Sequence, residues 1–202
     1  MTERSVVIFD LGGVLIDWNP RHLYRKLLPD ESLMEEFLAT VCTQVWNERQ
    51  DAGRSFAEAE AELIRHHPEK ETLIRAWGAR FDEMIPGALE DVVAILGELK
   101  NRRTPLYALS NWSAETFQPQ RRRFPFLEWF DGIVLSGEEG VIKPDPRIFQ
   151  RLLSRYALVP ERAVFIDDNP ANAAAASALG IHGIPFRSAG QLRAELAKLR
   201  FL

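Results

Sequence analysis

The chain has 202 residues, of which 46% are hydrophobic and 27% charged. This composition is typical of globular proteins and excludes disordered, collagen-like and coiled-coil chains. The formal net charge of −4 gives a weak field of the wrong sign for non-specific attraction to nucleic acid, so we expect no nucleic-acid partner. The single cysteine, Cys42, excludes an intramolecular disulfide and a cysteine-cluster metal site. The first apolar run ends at Asp10, too early for a signal peptide or a membrane span, and we expect a cytoplasmic protein without a membrane partner.

Short strand-like runs alternate with longer helical patterns along most of the chain. The predicted strands are Val6–Phe9, Leu106–Leu109, Gly132–Leu135, Val164–Ile166 and Ile181–Ile184. The helical patterns between and after them are Leu89–Leu99, Pro146–Tyr156, Ala171–Leu179 and Gln191–Leu199. Strands that alternate with helices of this length are typical of βαβ units. The sequence therefore predicts an α/β protein with a Rossmann-like parallel sheet.

The stretch between the first two predicted strands contains only helical patterns. It predicts a helix that starts at Pro20 after Asn19, a long helix over Glu31–Gln50, a third from Ser55 to His66, and a fourth from Pro68 towards Trp77. An insertion of roughly 60 residues is too long to be a simple loop. We expect an α/β core formed by residues 1–16 and 85–202, and a helical cap domain formed by residues 17–84.

Carboxylates follow two of the predicted strands, at the edge where open α/β sheets bind ligands. Asp10 follows the first strand, and the two glycines after Leu11 let backbone amides approach an anion closely. Asp167 and Asp168 follow the fourth strand, and a cation usually relieves the repulsion between adjacent carboxylates. Oxygen ligands without histidine or cysteine predict Mg²⁺. Helix capping by Asp168 or Asn169, and a helix cap or a turn at Asp10, are the alternative interpretations.

Two further polar clusters contain a candidate phosphate ligand and a candidate cation. Ser110 and Asn111 follow the second strand, and a hydroxyl with a neighbouring amide is a suitable donor pair for a phosphate oxygen. A Ser-Asn pair is also a common turn. Lys143 lies in a stiff segment next to Pro144, just before a predicted helix. Most lysines are solvated, but this rigid position favours Lys143 as a buried cation.

In this order and spacing, the four clusters resemble the four motifs of the haloacid dehalogenase-like hydrolase superfamily. The inserted helices resemble the helical cap of its first subfamily. The resemblance implies that Asp10 is the nucleophile and forms an aspartyl-phosphate intermediate. It also implies that Ser110 and the amide of Asn111 bind the phosphoryl oxygens, while Lys143 neutralises charge on both nucleophile and phosphate.

The resemblance further implies a Mg²⁺ cofactor. Its ligands would be Asp10, the backbone carbonyl of Gly12 and Asp168, with Asp167 either binding the ion or lying just behind it. Carboxylate and phosphate repel each other, so the metal and the lysine make their approach possible. The implied activity is that of a phosphoric monoester hydrolase acting on a small phosphorylated molecule.

The chain departs from the family pattern at Gly12. Most phosphatases of the superfamily carry a second aspartate there, and a positioned acid–base group of that kind contributes about 10²–10⁴-fold. Among members with glycine, the chain resembles the glucose-1-phosphate phosphatase-like branch. Because an anomeric hydroxyl needs less protonation than an ordinary alcohol, we expect a sugar phosphate such as glucose 1-phosphate. The alternative is that Glu48 or Asp51 of the cap supplies the proton.

Two other functions remain open from the sequence. A 2-haloacid dehalogenase uses an aspartate nucleophile without metal, but dehalogenases resemble Ser and Asn where this chain has Asp167 and Asp168. Those carboxylates would repel a carboxylate substrate. A non-catalytic relative that binds a phosphorylated ligand or a protein would tolerate the loss at Gly12, although Asp10 and Lys143 are both retained. The oligomeric state is not predicted.

Two tryptophans complete the set of candidate substrate-binding residues. Trp46 lies in the predicted cap, and Trp112 follows the Ser-Asn pair, where it would form one wall of the site. Packing of Trp46 into the interior of the cap is the alternative interpretation.

Overall fold

A computed structural model describes residues 5–202, so the first four residues of the predicted core lie outside the described residues. The five strands are β1 (Val6–Phe9), β2 (Leu106–Ser110), β3 (Gly132–Leu135), β4 (Ala163–Asp167) and β5 (His182–Pro185). They form one sheet in the order β3-β2-β1-β4-β5, and every pairing is parallel. The predicted Rossmann-like α/β class is confirmed, and each predicted strand lies within one residue of the observed bounds.

Strand β1 occupies the centre of the sheet. Val7 pairs with Leu106 of β2 on one side and with Val164 of β4 on the other, and all four residues of β1 are buried. The chain passes from β1 to β2 and β3 in one direction, whereas β4 and β5 lie on the opposite side. In open α/β sheets, a crevice forms at the carboxyl ends of strands where the order reverses. Here that point lies between β1 and β4.

Six helices cover the sheet, and the hydrophobic core lies on both of its faces. Val7 and Phe9 belong to one buried cluster, while Ile8 belongs to a second one, as expected when successive side chains of a strand point to opposite faces. The helices that belong to this part of the chain are α6 (Glu90–Asn101), α7 (Ala114–Arg123), α8 (Ser136–Glu139), α9 (Pro146–Arg155), α10 (Pro170–Ala178) and α11 (Ala189–Lys198). The sequence patterns did not predict α7 and α8.

The helices between β1 and α6 form an inserted segment, which isolated β-bridges at Gly12, Ile16 and Ala88 precede and follow. Its helices are α1 (Arg21–Leu27), α2 (Glu31–Thr40), α3 (Gln44–Asp51), α4 (Phe56–His66) and α5 (Glu71–Ala79). The prediction of one helix over Glu31–Gln50 is wrong, because the chain leaves the helix after Thr40 and starts another at Gln44. The Thr43 hydroxyl caps the new helix by accepting a hydrogen bond from the Trp46 N–H at 3.1 Å.

The helical segment leaves and rejoins the sheet part at neighbouring positions. The Asp17 N–H donates to the Gly87 carbonyl at 3.1 Å, and the Leu89 N–H donates to the Leu15 carbonyl at 2.9 Å. The segment that enters the helices and the segment that leaves them therefore lie side by side, as expected for an insertion. None of the helices among residues 5–202 is long and apolar enough to cross a bilayer.

Candidate active site

Asp10 lies at the carboxyl end of β1, in the middle of the sheet edge. Its backbone N–H donates to the Ile166 carbonyl at 2.8 Å, which holds it against β4. Carboxylate oxygen Oδ1 accepts the Leu11 N–H at 2.7 Å, and Oδ2 lies 2.9 Å from the Lys143 ammonium. Asp10 is 8% exposed, so most of this residue is buried within the protein.

Lys143 is the buried cation of this cluster. Its Nζ donates to Asp167 Oδ2 at 2.7 Å and to the Leu109 carbonyl at 2.9 Å, in addition to its contact with Asp10. The Phe165 ring lies 5.3 Å from the ammonium. Burial disfavours the charged form, but the two carboxylates outweigh this cost and raise the pKa of Lys143. The prediction of a buried lysine at this position agrees with the geometry.

The side chain of Asn111 positions the backbone that carries Lys143. Asn111 Nδ2 donates to the Lys143 carbonyl at 3.0 Å, and Asn111 Oδ1 accepts the Lys143 N–H at 2.8 Å. The two bonds attach the loop after β2 to the segment before α9. The sequence predicted only the backbone amide of Asn111 as a phosphate donor. The bonds between its side chain and the Lys143 backbone were not predicted, because residues 32 positions apart show no spacing that reveals their contact.

Asp167 ends β4 and is fully buried. Its Oδ1 accepts the Asn169 N–H at 2.8 Å and Asn172 Nδ2 at 3.0 Å, while Oδ2 accepts from Lys143. Both oxygens are therefore engaged within the protein, and Asp167 acts as a fixed counter-charge for the lysine. The sequence predicted no role for Asn172, because it lies in an alanine-rich helix without any distinguishing pattern.

Asp168 is exposed and faces the turn after Asp10. Gly13 in that turn has a φ of +72°, and a Cβ at Gly13 would lie 2.3 Å from Asp168 Oδ2. Glycine suits this position because L side chains rarely adopt its positive φ, and because a side chain there would displace the Asp168 carboxylate. This gives a physical reason for the second glycine of the motif. Gly12, whose carbonyl is a predicted metal ligand, lies one residue earlier in the same turn.

The three carboxylates form a cluster with an excess of negative charge. Oxygen atoms of Asp10, Asp167 and Asp168 lie within 4.8 Å of one another, and the Lys143 ammonium contacts two of them, Asp10 and Asp167. Burial, together with Asp167 and Asp168, raises the pKa of Asp10 to about 7 despite the opposing effect of Lys143. Burial and Asp167 also raise the pKa of Asp168. A divalent cation with oxygen ligands would balance this charge, so the residues fit Mg²⁺.

Ser110 and Trp112 lie on the adjacent strand end. Ser110 is buried as the last residue of β2 and pairs with Leu135 of β3, so it reaches the same sheet edge as Asp10. The Trp112 N–H donates to Ser136 Oγ at 2.9 Å, while its ring packs 5.7 Å from the Phe117 ring. Because the Trp112 side chain is engaged in this packing and 4% exposed, its predicted role as a wall of the site is limited to that small area.

The expectation that Trp46 contacts substrate is not supported by its position. Its ring packs edge-to-face against Trp77 at 5.3 Å, and its Nε1 approaches the Ala59 carbonyl at 3.4 Å. Trp46 is 6% exposed. A helical pattern places an apolar side chain on one face of α3 but does not tell whether that face meets the interior or the substrate.

The two proposed proton donors of the helical segment have different hydrogen-bond partners. Glu48 Oε1 accepts from the exposed Gln44 side chain at 3.1 Å. Asp51 ends α3 and meets the sheet part of the protein, where its carbonyl accepts from Ser136 Oγ at 2.5 Å. Its carboxylate accepts from Asn47 Nδ2 at 2.9 Å.

Comparison with known proteins gives relatives of similar length. A sesquiterpene phosphatase from Aspergillus oryzae is 25% identical over 189 residues, which cover 91% of this chain and 90% of the relative. A phosphorylated carbohydrates phosphatase from Thermotoga maritima is 26% identical over 193 residues, which cover 89% of this chain and 83% of the relative.

A solved structure has the same fold. It is a HAD family enzyme from Bacteroides thetaiotaomicron in complex with magnesium and inorganic phosphate, with a TM-score of 0.69 and 22% identity over 91% of this chain and 94% of that chain. The family model for haloacid dehalogenase-like hydrolases matches residues 5–180. That match spans every strand end described above except β5, and the chain belongs to the haloacid dehalogenase-like hydrolase family.

Proposed function

We propose that the chain is a Mg²⁺-dependent phosphatase that hydrolyses a small phosphomonoester through an aspartyl-phosphate intermediate on Asp10. One observation carries the proposal: the Asp10 carboxylate touches a buried ammonium and lies beside two further carboxylates with an unbalanced negative charge. A nucleophilic carboxylate that must approach a phosphate dianion needs this arrangement. Both full-length relatives named above are phosphatases, which supports the same reaction class.

Each residue of the cluster has a separate task in this proposal. Asp10 attacks phosphorus, and Lys143, 2.9 Å from its Oδ2, lowers the repulsion between the nucleophile and the phosphoryl oxygens. Ser110 and the amide of Asn111 donate hydrogen bonds to those oxygens. Asp10, the carbonyl of Gly12 and Asp168 would hold Mg²⁺, which would supply positive charge for the phosphoryl group.

We assign Asp167 to the lysine rather than to the metal. Its oxygens are already engaged by Lys143, Asn172 and the Asn169 N–H, and replacing these bonds with a metal contact would leave buried donors unsatisfied. The sequence analysis left both roles open for Asp167. A fixed aspartate keeps the ammonium charged and in place beside Asp10.

The substrate class that we propose is a sugar phosphate, with glucose 1-phosphate as the first candidate. Gly12 offers no side chain to protonate the leaving oxygen, and an anomeric hydroxyl leaves more readily than an ordinary alcohol. We further propose that residues 17–84 act as a cap domain over the core of residues 1–16 and 85–202, and that the enzyme works in the cytoplasm on small molecules.

The dehalogenase alternative is disfavoured by charge. A 2-haloacid carries a carboxylate that would have to bind close to Asp10, where the exposed Asp168 already lies within 4.8 Å. A phosphate monoester meets the same repulsion, but a divalent cation held by the carboxylates would supply positive charge that offsets it.

The test is phosphate release from glucose 1-phosphate, glucose 6-phosphate and p-nitrophenyl phosphate, with Mg²⁺ and with EDTA. The wild type and Asp10→Asn are compared, and chloride release from 2-chloropropionate is measured in parallel. Turnover that requires both Mg²⁺ and Asp10 supports the phosphatase. Chloride release in EDTA contradicts it in favour of the dehalogenase, and absence of turnover in both assays contradicts an enzymatic function.

A further inference from the structure

We propose that Asp51, at the end of α3, is the general acid and general base of the reaction and performs the task for which position 12 has no side chain. The proposal rests on the phosphatase function proposed above. It assigns a catalytic proton to the helical segment rather than to the turn that carries the nucleophile.

The main chain of Asp51 is attached to the carboxyl edge of the sheet. Its carbonyl accepts from Ser136 Oγ at 2.5 Å, and the same hydroxyl accepts the Trp112 N–H at 2.9 Å. Ser136 follows β3 directly, and Trp112 follows β2 by two residues. One buried hydroxyl thus joins the end of α3 to the ends of two strands that flank the site.

The carboxyl group of Asp51 lies near the loop that follows β2. Asn47 Nδ2 donates to it at 2.9 Å, and the backbone N–H of Ser113 acts on it as a second donor. Ser113 is three residues beyond Ser110, in the loop that carries the proposed phosphate donors. Asp10 and Lys143 both act on the Asp51 carboxylate electrostatically, which puts Asp51 within the field of the nucleophile and its cation.

The surroundings keep the Asp51 carboxyl protonated near neutrality. Burial, the Glu48 charge and the Asp10 charge raise the pKa of Asp51 to about 8, with the Ser113 N–H and Lys143 opposing. A general acid works best when its pKa is near the operating pH. On α8, which packs against α3, Glu139 is already paired with Arg151 and Arg155.

The two half-reactions balance with Asp51 alone as proton carrier. In the first, an Asp10 oxygen bonds to phosphorus, the P–O bond to the leaving group breaks, and the Asp51 carboxyl gives its proton to the leaving oxygen. In the second, the Asp51 carboxylate takes a proton from water as the water oxygen attacks phosphorus. The P–O bond to Asp10 breaks, phosphate is released, and both aspartates return to their starting states.

This assignment widens the range of leaving groups. Without an acid, only acidic hydroxyls such as an anomeric one leave readily. With Asp51 in place, ordinary sugar alcohols become substrates as well, so the phosphatase need not be restricted to 1-phosphates.

The test compares the wild type, Asp51→Asn and Glu48→Gln with glucose 6-phosphate and with p-nitrophenyl phosphate. First-turnover rates are measured by rapid quench for the sugar ester and by nitrophenolate absorbance for the aryl ester. We expect Asp51→Asn to slow the first turnover of the sugar ester about 10²–10⁴-fold, and that of the aryl ester less than about tenfold, because nitrophenolate leaves without a proton. Glu36→Gln, at an exposed position of α2, is measured as the control and should keep both rates.

A pH profile separates catalysis from a structural role. The rate of the sugar ester should fall as the pH rises above about 8, because Asp51 then loses the proton it donates. Glu48→Gln removes a neighbouring charge and should move this limb to lower pH, whereas Asp51→Asn should lack the limb. Asp51→Glu, which keeps a carboxyl, should restore part of the sugar-ester rate.

Equal loss of both first-turnover rates in Asp51→Asn, or no loss in either, would overturn the role of Asp51. That result leaves the dependence on Asp10 and Mg²⁺ untouched, so the phosphatase survives it. A wild type that cleaves neither ester contradicts the phosphatase itself and removes the proposal with it.

Discussion

The two sides of the candidate site are built in different ways. On the sheet side, Lys143 and Asp167 are buried and bonded to each other, and each has further partners within the protein. On the helical side, the Asp51 carboxyl accepts from Asn47 and from the Ser113 N–H, and its carbonyl accepts from Ser136. The charges around the nucleophile are therefore held in place at the sheet edge, whereas the proposed proton carrier lies at the end of α3, which makes few hydrogen bonds to the sheet side.

The largest effect should come from the sheet side, at the nucleophile. Asp10→Asn keeps the shape of the side chain but removes its nucleophilicity, and we expect phosphate release to fall about 10⁴-fold or more. The exposed Asp91→Asn on α6 is the matched control, because surface changes cost about 0.5 kcal/mol or less. Residual turnover of Asp10→Asn near the control value would show that Asp10 is not the nucleophile.

Removal of the buried cation should come next. Lys143→Met leaves the carboxylates of Asp10 and Asp167 without their partner, and we expect a loss of about 3–5 kcal/mol in the free energy of unfolding. Urea denaturation measures this loss. Arg147→Met, which breaks the exposed pair with Asp145, should cost less than about 1 kcal/mol. Similar losses in both variants would mean that the sheet side is not the more tightly coupled region.

The attachment of the helical side is tested at Ser136. Ser136→Ala leaves the buried Trp112 N–H and the Asp51 carbonyl without a side-chain partner, and we expect a loss of about 1–3 kcal/mol. The sugar-ester rate should fall more than the aryl-ester rate, because Asp51 loses its support while Asp10 does not. The exposed Ser154→Ala serves as control. An equal fall of the rate with both esters would mean that Ser136 supports the nucleophile rather than Asp51.

The smallest effect should be a difference between two glycines. Gly13→Ala and Gly140→Ala both place a side chain at positive φ, at a cost of about 1–2 kcal/mol each. At Gly13 the new Cβ also displaces Asp168, whereas nothing lies within 4 Å at Gly140. Mg²⁺ affinity, measured by calorimetry, should therefore weaken only in Gly13→Ala. Unchanged affinity there would remove Asp168 from the metal site.

The sheet edge was largely predictable from the sequence. Asp10, Ser110 and Asp167 each end a buried strand, and parallel strands bring their carboxyl ends together whatever the intervening chain does. Lys143 was predicted because a rigid proline segment restricts where a side chain points. These are local signals, combined by one general rule of sheet topology.

The helical side was less predictable for a physical reason. The contact of Asp51 with Ser136 joins residues 85 positions apart, and it depends on how α3 docks, which helical periodicity does not determine. The same periodicity did not predict the break in the helix before Thr43. It also did not decide whether Trp46 packs into the interior or contacts the substrate. It left the proton donor open between Glu48 and Asp51 as well, because residues three positions apart on a helix lie on the same face.

The side-chain amide of Asn111 hydrogen-bonds both the N–H and the C=O of Lys143, as the backbone of a paired β-strand would. The Lys143 amide hydrogen can then exchange with deuterium only when the loop after β2 opens. The exchange rate of the Lys143 N–H therefore reports how often the loop after β2 opens. A phosphate mimic bound by Ser110 should slow it, even though the mimic never touches the Lys143 backbone.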